Sequence, residues 1–548
     1  MNRFSALILA MIMAVTPFLS GCEEGIDTQE KGQPASFLSL VKAYEEGKVF
    51  SSAERSSESC LITFKDGSTI LVPQTDFTVY DCRNSEPSAV TTNGGWWKVG
   101  DLTLAVKVVR GVPDAESFPV YVYFDKMTLY MHVSNGVLRK FPSVAIEEAE
   151  KKEQEAAKLQ NIPVVRIKTD GGAGIYDKEN YVKGSIAIED PERMYSEAVS
   201  FSGRMGIRGR GNSTWGWPKK PWKVKLDAKA SLLGMPADKE WALLANYSDR
   251  TLVRNLTAMK LSEICGFSWT PRMRSVEVYL NDEYQGVYTL CEHKKVSPDR
   301  VDIEIVGEND NEGDAITGGY YLEIEEQQDE TTCWWTSMGV PMMFSDPEEP
   351  TAQQLEYVKD YFESFEQALW ADDWTEATGY PHYIDIDSFI DYYIVQELTK
   401  NIDGNLRKSS FITKERGKKL EMYHLWDFDL TLGNCGYFWD GVGNGPENFW
   451  IKIDKWYPHL FEDPSFVAKV KARWNELMPE FEKIPEFIDD QAFRLDKAQK
   501  RNFQKWDINI SVDWVMFPSL GSYEKEVEYL KEFYTERLQW LNVEINKL

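Results

Sequence analysis

Apolar and polar residues alternate through much of the first part of the chain, the period of strands that bury one face. "CLITFKDGSTILVP" (60–73) holds two such runs on either side of Asp66-Gly67, a dipeptide suited to a tight hairpin turn. "FPVYVYF" and "LYMHVS" repeat the alternation, and residues 37–142 read as a β-rich module. Residues 143–161, opening "SVAIEEAEKKEQEAAKLQ", have helix-forming composition but little apolar face, as expected of a solvated connecting helix. A strand-like "IPVVRIKTD" then opens a second domain over 162–548, whose first half alternates short strands with turns. Further on, the period changes to that of helices at 351–370, 387–401 and 464–481. A last helix starts near Ser522 and repeats Val527, Tyr529-Leu530, Phe533-Tyr534, Leu538 and Leu541. The fold class expected is α+β.

Length and charge narrow the picture. A chain of 548 residues exceeds one ordinary core, so two or three domains are expected. A formal charge of −27 argues against a nucleic-acid binder, because neutralising phosphates needs a broad basic surface. The start, "MNRFSALILAMIMAVTPFLSGCEEG", has one arginine, a short apolar run and small residues before Cys22. Leu19-Ser20-Gly21-Cys22 resembles a bacterial lipobox, which implies a signal peptide over 1–21, a lipidated Cys22 and a polar tether over 22–36. The acidic Glu23-Glu24 resembles surface-export signals of some Bacteroidetes lipoproteins, so an envelope location is expected, with surface exposure on the outer membrane as one outcome. "TTNGGWWKVGD" looks like the Trp-rich hairpins in accessory domains of such proteins. Six further cysteines form no CxxC pair, which disfavours structural zinc. Cys60 and Cys82 are the best disulfide candidates.

Against this acidic background, "GRMGIRGRGNSTWGWPKKPWKVKL" (203–226) gathers Arg204, Arg208, Arg210, Lys219, Lys220, Lys223 and Lys225. It contains no GxxxxGK[ST] phosphate loop, but its glycines let backbone amides approach an anion. "WKVKLD" alternates, placing Lys223 and Lys225 on one face and Trp222, Val224 and Leu226 on the other. A strand lysine fed by a glycine-bearing loop is how protein kinases present a cation to ATP phosphates. For the lysines alone, a solvated strand face balanced by the abundant acids is the simpler account.

A second constellation lies at 387–429. An amphipathic helix leads to a loop with Asp403-Gly404, and "SSFITK", the turn "ERGKK" and "LEMYHLWDFD" form a hairpin. With the turn near Arg416-Gly417, paired residue numbers sum to about 833, bringing Asp427 to roughly 10 Å from Asp403. Carboxylates so gathered suit Mg²⁺ or Mn²⁺, which prefer oxygen ligands. By itself "DFD" could equally be a turn cap. No HExxH, GxSxG or Cys/His pairing accompanies the five histidines, and His424 fits a packed strand position better than a ligand.

"RGRGNSTW", "PKKPWKVKLD", "NYSDRTLVRN", "NDEYQGVYTLCE", "KNIDGN" and "WDFDLTLGN" together resemble the CotH family of atypical secreted kinases, over roughly 162–548. The resemblance implies a divergent, two-lobed kinase-like fold that uses ATP with Mg²⁺ or Mn²⁺ on a protein acceptor. By it, Asp403 matches the catalytic-loop aspartate and Asp427 the metal-binding aspartate. Lys225 is then the expected phosphate lysine, with Lys223 second and Arg208 or Arg210 assisting. One departure stands out: the asparagine five residues after the catalytic aspartate of ordinary kinases is here Lys408, with Asn405 too early and Asp429 a substitute ligand. Glu292 matches a family motif and could pair with a lysine. Alternatives are an inactive kinase-like adhesin or glycan-binding lipoprotein, and a transferase that moves AMP.

Overall fold

The computed structural model describes residues 160–327, 332–436, 445–510 and 516–548, together with short stretches, chiefly strand backbone, between 43 and 142. Lys158–Leu548 forms one compact unit and Met1–Ala157 another.

In the N-terminal unit, Ser59–Phe64 and Thr69–Pro73 pair as an antiparallel hairpin around Asp66-Gly67. Gly67 takes a φ of 79°, which explains glycine at that turn position. Trp96–Val99 and Leu102–Val109 form a second hairpin, and Val120–Asp125, Thr128–His132 and Leu138–Pro142 extend its sheet. The lipobox, all but the last two residues of the linker helix expected over 143–161, and the side chains of Cys60 and Cys82 lie outside the described residues.

The larger unit opens with a closed barrel of seven strands: β1 (Val164–Thr169), β2 (Val182–Glu189), β3 (Ser200–Gly209), β4 (Trp222–Ala230), β5 (Asp238–Leu244), β6 (Met273–Leu280) and β7 (Glu283–Glu292). They run in the order β1-β2-β3-β4-β5-β7-β6, and a parallel β1–β6 pairing closes the ring. Alternation fills the interior with Val165, Ile167, Ile186, Met205, Ile207, Trp222, Val224, Leu226, Trp241 and Tyr288. Lys223 and Lys225 therefore face outward, as the sequence pattern requires.

Helix α1 (Arg254–Cys265) interrupts the barrel between β5 and β6. Past the barrel, β8 (Tyr320–Ile324), β9 (Cys333–Trp335), β10 (Pro341–Asp346), β11 (Ser410–Lys414) and β12 (Leu420–His424) make a second sheet in the order β9-β10-β8-β11-β12. Around it stand α2 (Ala352–Trp370), α3 (Ile386–Thr399), α4 (Tyr457–Leu460), α5 (Pro464–Phe481), α6 (Ile484–Lys505) and α7 (Tyr523–Lys547). Their starts carry sequence-legible caps. Thr351 and Gln354 close a capping box on α2, while Asp385, Asp463 and Ser522 cap α3, α5 and α7.

One core joins these helices to the second sheet and also takes in Ala242, Met273, Val287 and Cys291 from the barrel. Across the strands, Lys223 pairs with Ala242, Ala242 with Cys291 and Cys291 with Met273. Residues paired in this way share a face, so Lys223 lies on the barrel face that docks onto the helical part.

Candidate active site

Asp403 stands on a loop that follows α3. Lys400 ends the helix in the left-handed region at φ 46°, and its ammonium reaches the carbonyls of Gly445 (2.8 Å) and Glu447 (2.6 Å). Glu397, on the last turn of α3, accepts from the amides of Trp450, Ile451 and Lys452 and pairs with the buried Arg537 of α7 at 2.6 Å. The Tyr392 hydroxyl donates to the Gly404 carbonyl at 2.9 Å. A side chain at Gly404 would start 2.2 Å from Oε1 of the buried Gln396 and 3.0 Å from Asn401 Cβ, so any larger residue beside Asp403 must push the Gln396 side chain aside. Arg407 lies 3.8 Å from Asp403 and also pairs with Glu326. Burial raises the pKa of Asp403 above the usual carboxylate range; Lys408 and Arg407 oppose this, and Asp427 adds to it.

Asp427 follows β12. The observed hairpin register sums to 834, and to 835 beyond an irregularity between Phe411 and Ile412, so the expected 833 is one or two short. Asp427 is exposed and sits at φ 66°, a strained conformation for a non-glycine residue, with Phe428 buried behind it. Burial raises the pKa of Asp429, with the charge of Asp427 as the second cause; Ser248 opposes the rise by donating a hydrogen bond to Oδ2. Asp403, Asp427 and Asp429 thus come from two separate loops and act on one another electrostatically.

A clamp that sequence reading did not assign holds the acidic turn in place. Asp249, at the start of α1, accepts from Thr251 N, Arg254 N and Arg254 Nη1. Arg254 in turn donates to the carbonyls of Thr431 (2.9 Å) and Leu432 (3.3 Å). Asn255 Oδ1 accepts from Phe428 N, and Asn434 Nδ2 reaches Ser248 O, each at 2.8 Å. "NYSDRTLVRN" and "WDFDLTLGN" are therefore two halves of one hydrogen-bonded unit. Their polar residues were the available signal, since buried Arg and Asp occur paired.

The basic stretch divides. Arg204 pairs with Asp170 at 2.6 Å, and Lys219 is buried against Val287 O and Asn502 Oδ1, so neither meets the acids. Arg208 lies over Tyr181 and donates to Lys178 O, while facing Lys223 across the strands. Arg210 lies over the Trp426 ring, 5.7 Å from its centre and one residue before Asp427. Lys223 pairs with Glu240 at 2.7 Å and is 14% exposed; Lys225 is 3.8 Å from Glu240 and 51% exposed. Lys225 borders a groove with Lys183, Lys239 and Asp227 instead. Of the two lysines, Lys223 is the closer to Glu240 and the less exposed, on the barrel face that docks onto the helical part.

Other candidates resolve as structural. Glu292 is fully buried and pairs with Arg272, at 2.9 Å to its amide and 3.0 Å to its guanidinium, in place of the lysine expected as one option. His424 is a core residue, hydrogen-bonded to Tyr321 at 2.8 Å and stacked on Phe411. Asn405 donates to Asp454 at 2.9 Å, and Lys408 N closes the loop onto Asp403 O at 3.1 Å. Cys265 and Cys291 are buried thiols.

A search of curated proteins finds no match to the chain. The family described as CotH kinase protein matches residues 207–541, narrower than the resemblance read over 162–548: β1, β2 and most of β3 fall outside it yet complete the same barrel. The match spans more than half of the 548 residues, and the chain belongs to the CotH kinase protein family.

Proposed function

We propose that this protein is an ATP-dependent phosphotransferase acting on Ser or Thr hydroxyls of proteins in the cell envelope, where lipidated Cys22 anchors it. The observation that carries this reading is that Asp403, Asp427 and Asp429, from two loops, act on one another electrostatically, while Arg210 of the glycine-bearing stretch rests on Trp426, the residue beside Asp427.

Carboxylates that raise one another's pKa suit a divalent cation, because their mutual repulsion is what such an ion relieves. Asp427 and Asp429 would hold Mg²⁺ or Mn²⁺, whose charge neutralises that of the ATP phosphates. Asp403 takes the proton of the acceptor hydroxyl as the new O–P bond forms and the bond to the ADP leaving group breaks. Its pKa, raised by burial, suits that task. Lys223 and Arg210 offset phosphate charge, and Glu240 holds Lys223 in position. Catalysis on this plan is positioning plus fixed electrostatics.

The test is label transfer by the full chain from γ-labelled ATP with Mn²⁺ or Mg²⁺ to itself or to Ser-rich model proteins. Metal-dependent transfer lost in Asp403→Asn and Asp427→Ala is the expected result. Transfer from α-labelled ATP instead would identify AMP movement. No transfer, and no nucleotide-dependent rise in melting temperature with either metal, would overturn the enzymatic reading. Ligand at about 100 times its Kd adds about 2.7 kcal/mol to the stability of the form that binds it.

A further inference from the structure

His293 is the first residue after β7, at the start of the connection from the barrel to the second sheet. Its Nδ1 is buried and meets no hydrogen-bond partner among the described residues. A buried imidazole nitrogen without a partner costs free energy unless something absent from the folded chain completes it. The groups that act on this ring identify what that something is. Arg300 Nη1 donates to the His293 carbonyl at 2.6 Å, and Lys223 lies across the strands from Ala242 and Cys291, two residues before the histidine. Burial first, and the charges of Lys223, Arg210, Lys294 and Arg300 after it, hold the pKa of the ring well below the ordinary histidine value, so the ring is neutral.

Three of those cations already have a carboxylate: Lys223 has Glu240, Lys294 has Glu323, and Arg300 has Asp238 at 3.8 Å. Arg210 is different. Among the described residues its guanidinium is joined to no carboxylate, and it rests on the Trp426 ring beside the acidic turn. An uncompensated arginine next to an orphaned neutral imidazole is a seat for an anion that brings acceptor oxygens. A neutral base such as adenine would need no surplus of positive charge.

We infer that His293 is a nucleotide-binding residue, donating from Nδ1–H to a phosphate oxygen that Arg210 also holds. The inference rests on the nucleotide reading above and adds a residue to it. His293 then reads the polyphosphate from the barrel side, while Asp427 and Asp429 approach from the helical part.

The experiment is calorimetric binding of ATP, tripolyphosphate and adenosine, each with Mn²⁺ and again with Mg²⁺, to the full chain and its variants. Loss of a hydrogen bond to a charged oxygen predicts that His293→Leu weakens ATP and tripolyphosphate about 10-fold or more. Adenosine should bind as before, and His293→Asn, whose amide nitrogen is bonded to Cγ as Nδ1 is and keeps an N–H donor, should recover part of the loss. His293→Gln, whose amide corresponds in position to Nε2 rather than Nδ1, replaces the leucine variant if that protein does not fold. ATP binding within threefold of the unaltered protein in the leucine variant or its replacement overturns the role of His293 while leaving the nucleotide site standing. Equal losses for adenosine and ATP also overturn it, since they place the effect on the base. An unaltered protein that binds no ATP with either metal removes the site itself, and His293 with it.

Discussion

The two lysines of β4 make the sharpest test of the site, because the family resemblance puts Lys225 first and the tertiary structure separates the two in favour of Lys223. Lys223 is 14% exposed and paired with Glu240 at 2.7 Å; Lys225 is half exposed and 3.8 Å from the same acid. Truncating Lys223 to alanine removes a partly desolvated cation from a phosphate, a charge-assisted interaction of about 1.5–3 kcal/mol. At 1.36 kcal/mol per factor of ten, kcat/KM for phosphoryl transfer should fall about 10- to 100-fold. Removing Lys225, screened by water, should cost less than about 1 kcal/mol, or under fivefold. Folding should change little in either variant, because Glu240 keeps Lys295 at 3.9 Å and whichever lysine remains. The assay is initial-rate transfer from γ-labelled ATP across a range of ATP concentrations, with melting temperatures as the folding control. A larger loss in Lys225→Ala than in Lys223→Ala, with both proteins folded, would refute the assignment and restore the lysine first expected from sequence.

Three further outcomes follow from the same contacts. Arg254→Met leaves Asp249 buried without its guanidinium and two carbonyls without donors, and should destabilise the larger unit by about 3–5 kcal/mol in urea unfolding; a loss under 1 kcal/mol would remove the clamp from the account. Gly404→Ala pushes a methyl into Gln396 and displaces Asp403, so transfer should slow by more than tenfold while ATP binding stays within about threefold; parallel losses in both would mean a general collapse. Glu325, largely buried beside Glu323, has its pKa raised by burial from 4.5 to about 7. The folded form therefore holds this proton more tightly than the unfolded chain, and stability falls as pH rises from about 4.5 to about 7 and is flat above. Glu325→Gln abolishes that loss, so its gain over the unaltered protein should grow from below about 1 kcal/mol at pH 5 to about 2–3 kcal/mol at pH 8. A gain independent of pH would exclude this carboxyl as the source.

By itself the sequence determined the strands and helices whose burial is one-sided. The β4 alternation, the hairpin at Arg416-Gly417 and the last helix with Val527, Leu530, Phe533, Tyr534 and Leu538 inward were all legible, because a single buried face imprints its period on the chain. Where burial is not one-sided, the imprint vanished. Helix α1 buries Arg254, Asn255, Leu256, Thr257, Ala258, Met259 and Leu261 in near succession, so it shows no stripe and was read among strands and turns. Helix α6 is absent from the helices read in the sequence; its buried side mixes Gln499 and Asn502 with Ile484, Ile488, Leu495 and Ala498. The two aspartate loops could be found in order along the chain, since local turns and neighbouring strands bring them together. Only the tertiary structure decided that Lys223 sits closer to Glu240 and less exposed than Lys225, that Glu292 takes Arg272, and that α1 locks the acidic turn. Each of those choices joins segments far apart in sequence, and alternation along one strand cannot say which element will cover its outer face.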